Sequence, residues 1–414
     1  MFKQLGWREY LAIGLILGIF LGPVFAEKSE NLKGDGALIV SGKPARGFFI
    51  KEATERFLKN TMGFIGKKDI NFSLKEVNFP TQLNPLEKIQ VKIPIIENNI
   101  TSNFNLHIIN KDFTSVETEW LWVSNNPEKI TQAGVLLEGY LLEKHPVRLL
   151  YYHLNESNEI KRVALIVENR EEVPLRLHMV SGLAGPGKDG LYLGHYATKS
   201  FMEATLLDEG EYVEIPPFSS KYLFVQSFGY QHILTGLVKL TLLSGKNALI
   251  YLIAEDRQSP GGARLSKVSK NQKELTRGGV FRRCQRTISK RFIIGEPTKE
   301  IRMGDKPFIR DERTHHVLKG NYGVVYKILL QIKNPTVLPQ MAEVFFEPAG
   351  GIARGSFIID GKLKETAWLS PNTSPNKEVI YSVYLEPTEE KNIEITTQPQ
   401  AGSYYPVNLG FQVR

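Results

Sequence analysis

The chain has a single cysteine, Cys284, in 414 residues. One thiol cannot pair within its own chain, so no disulfide framework holds the fold and stability must come from packed cores. Catalytic signatures are equally scarce. There is no G-x-S-x-G elbow to anchor Ser/His/Asp chemistry. His145, His153, His178 and His195 lie in one stretch, but without the H-x-H, H-x-x-x-H or H-E-x-x-H spacing that fixes two ligands on one element. Helical periodicity is nearly missing too. Phe48–Phe64 is the best helix candidate, with Phe49, Ala53, Phe57 and Met62 near helical spacing.

Long apolar runs are also lacking, with one exception at the N-terminus. Lys3 and Arg8 precede the run Leu11–Leu21, and Val24-Phe25-Ala26 places small residues at a cleavage site. This reads as a secretory signal peptide, residues 1–26, cut after Ala26. The protein is then expected to be exported: periplasmic, cell-surface or extracellular. Retention of the segment as a membrane anchor is the alternative, for which the run is short and interrupted by Pro23.

What is present is ordinary for a folded chain: 42% hydrophobic and 23% charged residues. Lys and Arg number 52 against 44 Asp and Glu, a net charge of +8. That balance suits contact with anionic surfaces such as a wall polymer or lipid head groups.

Residues 27–45 are polar and read as a flexible lead. From Asp69 onward short alternating runs, Ile89–Ile95 among them, are separated by Asn- and Pro-rich turns. The series continues to Ala254 and predicts an all-β fold of tandem Ig-like antiparallel β-sandwiches with little helix. The expected order is an N-terminal β domain (46–143), a central sandwich (144–255), a basic linker (256–290) and a C-terminal sandwich (291–414).

The two sandwiches read as copies. Ala164–Val180 (ALIVENREEVPLRLHMV) recurs in kind at Leu329–Phe346, with Asn169 answering Asn334. Glu211–Phe224 is echoed by Ile380–Ile395, a proline-centred turn joining two strands each time. The chain resembles bacterial extracellular Ig-like modules in this architecture, a resemblance that carries no functional residues.

Two places invite a functional reading. Ser181–Phe201 reads as a long loop with no later counterpart, in which Lys188, Asp189, Tyr192 and His195 can form a polar ligand pocket. Gly194 beside His195 permits close approach of a partner. Gly185-Pro186-Gly187-Lys188-Asp189-Gly190 lacks the spacing of a phosphate loop and reads as a turn. The second place is the basic segment, where Lys267, Lys270, Lys273, Arg277, Arg282, Arg283, Arg286, Lys290 and Arg291 can neutralise a polyanion. Only Phe281 and Phe292 offer stacking surfaces there, so nucleic acid is a poor fit, and a solvated charged segment is the simpler reading.

Minor candidates are weaker. Cys284 sits between arginines that could lower its pKa, yet an incidental thiol is the better reading. His315-His316 after Asp311-Glu312 is a conceivable metal pair. Trp120 and Trp122 share one side of a strand and suit core packing better than sugar stacking. No cofactor or metal is called for. The leading expectation is a non-enzymatic envelope or extracellular binding or scaffold module, partnered by an anionic wall polymer, a membrane surface or another envelope protein. A carbohydrate-active or metal-assisted hydrolase near Asp189 and His195, and polyanion binding through the basic segment, are the alternatives.

Overall fold

The computed structural model describes residues 35–61, 70–97, 100–256, 277–297 and 300–414. The expected signal peptide and the basic residues Lys267, Lys270 and Lys273 lie outside them. The described part is all-β with two helices, and its core is divided between tandem β-sandwiches. None of its helices is long and apolar enough to cross a membrane.

In chain order, leaving aside pieces of two or three residues before residue 134, the elements begin with β1 (Asp35–Ser41), α1 (Gly47–Thr61), β2 (Lys88–Glu97) and β3 (Ile100–Asn110). Next come β4 (Trp120–Ser124), β5 (Gly134–Leu142), β6 (Val147–Asn155), β7 (Lys161–Glu168) and β8 (Leu175–Gly187). Helix α2 (Gly190–Leu206) leads into β9 (Gly210–Ile215), β10 (Ser220–Phe228), β11 (Ile233–Ser244) and β12 (Asn247–Asp256).

The central sandwich sets the sheet β4-β6-β11-β8-β9 against the sheet β10-β7-β12-β5. Period-two alternation sorts the side chains between two faces. Trp122, Leu149, Tyr151, Leu177, Met179, Val238 and Leu240 face inward against Val163, Leu165, Phe224 and Ile250. Trp122 is buried in this core and Trp120 packs against it, as the core reading of the two tryptophans expects. The intervening residues Leu121, Val123, Leu150, Val180 and Leu237 face outward, yet they are buried as well. They belong to a second core, described below.

The flexible lead is not what the structure contains from residue 35 onward. Strand β1 pairs antiparallel with β9, with Ile39 opposite Tyr212, and parallel with β3. The N-terminal strands therefore extend the central sheet instead of building an independent sandwich, and the central sandwich takes β4 and β5 from the expected N-terminal domain. The short apolar run Ala37–Val40 becomes part of a strand because its pairing partners are supplied by distant residues. Helix α1 forms where the 3.6 spacing predicts it. It ties both central sheets together: Arg56 pairs with Glu211 of β9 at 2.7 Å, and Asn60 Nδ2 donates to the Leu223 carbonyl of β10 at 2.8 Å.

The C-terminal part contains β13 (Gly279–Arg282), β14 (Gln285–Ile293), β15 (Ile301–Met303), β16 (Val325–Lys333) and β17 (Gln340–Pro348), then β18 (Ser356–Ile359), β19 (Lys362–Glu365), β20 (Glu378–Leu385), β21 (Glu390–Thr397) and β22 (Val407–Val413). Its two sheets run β14-β16-β21-β18-β19 and β15-β22-β17-β20. The pairings of β17 with β20 and β22 repeat those of β8 with β9 and β11. The linker expected at 256–290 ends early. Strand β13 adds to the central sheet beside β4, and β14 joins the C-terminal sheet beside β16. The apolar Val280, Phe281, Ile288 and Phe292 are interspersed among the basic side chains there, and both pieces pair as strands.

The second core crosses between the sandwiches. Leu121, Val123, Leu150, Val180, Leu237 and, from α2, Phe201 and Ala204 belong to one cluster with Tyr326, Ile328, Val344, Phe346, Phe357 and Phe411. A large apolar interface of this kind removes the independent domain motion expected of loosely joined modules.

Candidate functional site

The stretch expected as an open loop is a strand followed by a helix. β8 runs on to Gly187, and Asp189 caps α2, its Oδ1 accepting from the Tyr192 N–H at 3.0 Å. Leu193, Ala197, Phe201 and Ala204 form the buried stripe at spacings of four, four and three. That stripe was the sequence signal for the helix. It was masked by the glycines before it and by small residues within it, since alanine covers apolar surface without announcing it.

His195 projects from the buried face of α2 into the junction with the C-terminal sandwich and is 2% exposed. Its Nδ1 lies 2.9 Å from Gln400 Oε1 and its Nε2 lies 2.8 Å from Glu365 Oε2. Ser356 Oγ is 3.4 Å from Nδ1 and is itself fully buried. Glu365 also receives Lys199 Nζ at 2.6 Å and Arg354 at 3.3 Å, and Arg354 sits over the Trp368 ring, 5.5 Å from its centroid. Burial pushes the His195 imidazole below its ordinary value, although Glu365 pulls the other way. Burial would raise the Glu365 carboxyl, but hydrogen bonds from Lys199 and His195 outweigh it and hold the group low.

A Glu–His–Ser row of this kind has the composition of a hydrolytic triad and none of its access. Both imidazole nitrogens are engaged by side chains of the C-terminal part, and the hydroxyl is sealed. Catalysis needs a nucleophile and base within reach of a bound substrate. What the row does is join two sandwiches. Gly194 serves the same joint, because a Cβ there would lie 1.7 Å from the Ala401 carbonyl oxygen. Close approach of a partner at this glycine was legible in the sequence; that the partner is the chain's own Ala401 was not.

The four residues expected to form one pocket therefore separate. Lys188 and Tyr192 are exposed, Asp189 is spent on its cap, and His195 is interior. The exposed Tyr192 ring stacks with the half-buried Tyr196 ring one turn along α2, with centroids 6.3 Å apart. The residues that sequence reasoning missed are Glu365, Gln400, Ser356 and Arg354, which come from strand ends and loops far along the chain and carry no local signature.

The basic segment also breaks up. Arg277 is paired with Glu128, Arg282 with Glu119 at 3.7 Å, and Arg291 with Glu390 at 3.7 Å. Arg286 donates to the Pro307 carbonyl and lies over the Tyr326 ring, while Arg283 is exposed and Lys290 half-buried. The described part thus presents interleaved charges instead of a continuous basic stripe. Arg282, Arg283, Cys284 and Gln285 face Glu117, Thr118 and Glu119 across a groove of about 560 Å³. Cys284 is fully buried at its side, its Sγ donating to the Thr118 carbonyl. Burial pushes this thiol up, outweighing the nearby Arg148 charge, which fits an incidental thiol better than one activated by its flanking arginines.

Asp311 is consumed by its own loop. Oδ1 accepts from Arg313 N, Thr314 N and Thr314 Oγ1, and Oδ2 accepts from Val280 N. Among the described residues no group of three or more His, Cys, Asp and Glu side chains is placed to hold a metal ion.

No known protein family and no curated protein sequence matches the chain. Solved structures overlap it only loosely. A CBM22-1-CBM22-2 tandem domain from Paenibacillus barcinonensis Xyn10C shares 9% identity over 69% of this chain and 91% of its own, with a TM-score of 0.15. Lac15 from a marine microbial metagenome shares 10% over 81% and 72%, with a TM-score of 0.13. A multicopper oxidase from Campylobacter jejuni shares 10% over 77% and 68%, with a TM-score of 0.10. Scores this low carry no functional inference.

Proposed function

We propose that this chain is an exported, non-enzymatic binding or scaffold protein of the cell envelope or extracellular space. The observation that supports this reading is His195. The side chain with the strongest catalytic credentials is 2% exposed and has both ring nitrogens committed to Gln400 and Glu365 across the joint. The joint holds two sandwiches at a fixed mutual angle, so exposed groups such as Tyr192 and Trp368 keep a constant spacing for a large partner. Rigid presentation of this kind lowers the ordering cost of binding and makes affinity at a broad surface attainable.

The test is to incubate the purified chain with insoluble wall polymer and with polysaccharide, peptide and ester substrates. The proposal expects saturable retention on an insoluble envelope fraction with no product released. Product formation that disappears in His195→Ala, while the variant remains folded, contradicts it.

A further inference from the structure

The outward face of the central sheet carries two cations where apolar side chains would be expected. Arg148 of β6 and Lys239 of β11 are directly opposite each other in the antiparallel register. They are 6% and 5% exposed. Opposed like charges on neighbouring strands are unfavourable, and burying them adds a desolvation cost that a counter-charge normally offsets. Among the described residues no carboxylate forms an ion pair with either one. The acids nearest Lys239 are engaged elsewhere: Asp208 is 3.2 Å from Lys43, and Glu117 is 3.7 Å from Lys327.

The polar groups around the pair are only partly satisfied. Arg148 donates through Nη2 to the Cys284 carbonyl at 3.2 Å, but its Nε has no partner. Lys239 Nζ donates to Ser115 Oγ at 2.6 Å and to the Val116 carbonyl. Thr241, two residues along β11 on the same face, is 4% exposed and its Oγ1 also lacks a partner. Burial, with Arg148 adding to it, lowers the Lys239 amine to about 8. A guanidinium edge, an ammonium and a hydroxyl turned to one face make a donor set for an anion with two or more oxygens.

Residues 111–119 form an irregular strap over this face, held by Phe113, whose ring stacks on His178 with centroids 3.6 Å apart, and by the two Lys239 bonds. The end of the strap, Glu117–Glu119, is one wall of the groove that Cys284 also lines, and the Cys284 carbonyl is the group Arg148 holds.

We propose that Arg148, Lys239 and Thr241 form a binding site for a small oxyanion beneath the strap 111–119. Carboxylates and phosphates share the required chemistry, so both are probes. A purely structural role, in which the two cations only anchor the Val116 and Cys284 carbonyls, makes no use of Thr241 or of Arg148 Nε.

The experiment measures thermal unfolding of the purified chain against increasing sodium phosphate and, separately, sodium acetate, with ionic strength held constant by chloride. A saturable rise in Tm with either probe is expected, and the probe that saturates at lower concentration identifies the class of anion. Thr241→Val removes only an unpartnered hydroxyl and should fold normally while weakening the response about fivefold or more. Arg148→Lys keeps the charge but loses Nε and should weaken it tenfold or more. The bound anion should also protect Lys239 from acetylation, read by peptide mass spectrometry. No saturable response to either probe, or an unchanged response in both variants, overturns the proposal.

Discussion

Asn169 and Asn334 make the same set of bonds in two different sandwiches. Asn169 Nδ2 reaches the carbonyls of Val173, Ile215 and Pro216 at 2.9, 3.1 and 2.9 Å, and its Oδ1 accepts from the Glu171 N–H at 2.9 Å. Asn334 Nδ2 reaches Leu338, Leu385 and Glu386 at 2.8, 3.1 and 3.1 Å, and its Oδ1 accepts from the Thr336 N–H at 3.0 Å. Ile215 and Leu385 end β9 and β20, while the asparagines follow β7 and β16. Each side chain therefore pins a turn of one sheet to a strand end of the other.

Loss of either amide leaves buried carbonyls without a donor, which costs about 1–3 kcal/mol for each group left unsatisfied. Asn169→Ala and Asn334→Ala should each destabilise the chain by about 2–4 kcal/mol in denaturant unfolding. Asn→Asp at either site should be no better, because a carboxylate cannot donate. Changes within about 0.5 kcal/mol, the range of ordinary surface substitutions, would refute the role.

The joint between sandwiches makes a second prediction. Gly194→Ala puts a methyl group inside the contact distance of the Ala401 carbonyl, and backbone cannot yield there without opening the interface. We expect a loss above about 3 kcal/mol, in the range of severe overpacking. Gly361→Ala is the control: its surroundings are open and only its φ of +76° opposes a side chain, which costs about 1–2 kcal/mol. Equal effects in the two variants would mean that α2 does not press against residue 401.

Acid should destabilise the chain well before its carboxylates titrate. Burial lowers His153 to about 4, against the Pro127 carbonyl that favours the charged ring. Burial, with the Lys239 charge, lowers His178 to about 3. His195 is shifted down as well. In each case the unfolded ring binds a proton more readily than the folded one. The stabilisation is complete above about pH 6.5 and is lost as the pH falls toward the folded values. His153 and His178 each contribute a slope of about 1.4 kcal/mol per pH unit in that window. Unfolding free energies between pH 7 and 4 should fall accordingly, and a flat profile down to pH 4.5 would rule this out.

How much of this was legible in the sequence depended on whether a signal was local. The alternation at Ile89–Ile95, the helix at Phe48–Phe64 and the recurrence of Asn169 at Asn334 are near-neighbour patterns, and the fold class followed from them. Strand β1 and the strap 111–119 take their structure from residues about 65 or more positions away. Helix α2 was hidden because alanine and glycine, which carry its packing, look neutral in a pattern of apolar residues. The His195 network was invisible for a stronger reason. Glu365, Gln400 and Ser356 become its partners only after the sandwiches dock.

Cys284 should be inert in the native protein. Its Sγ is buried and donates to Thr118, and burial raises its pKa. A disulfide exchange reagent at pH 8 should label it only at the rate of unfolding and promptly in denaturant. Rapid labelling of the folded chain would show that the groove reaches the thiol.

The central claim is that the central and C-terminal sandwiches are one body with His195 inside the joint. Calorimetric unfolding of the purified chain tests it most directly, since a shared core from Leu121 and Phe201 to Tyr326 and Phe357 cannot melt in parts. The account predicts one cooperative transition for both sandwiches that moves to lower temperature as a single peak in His195→Ala. Two separated transitions in the unsubstituted chain, with His195→Ala leaving both in place, would contradict it.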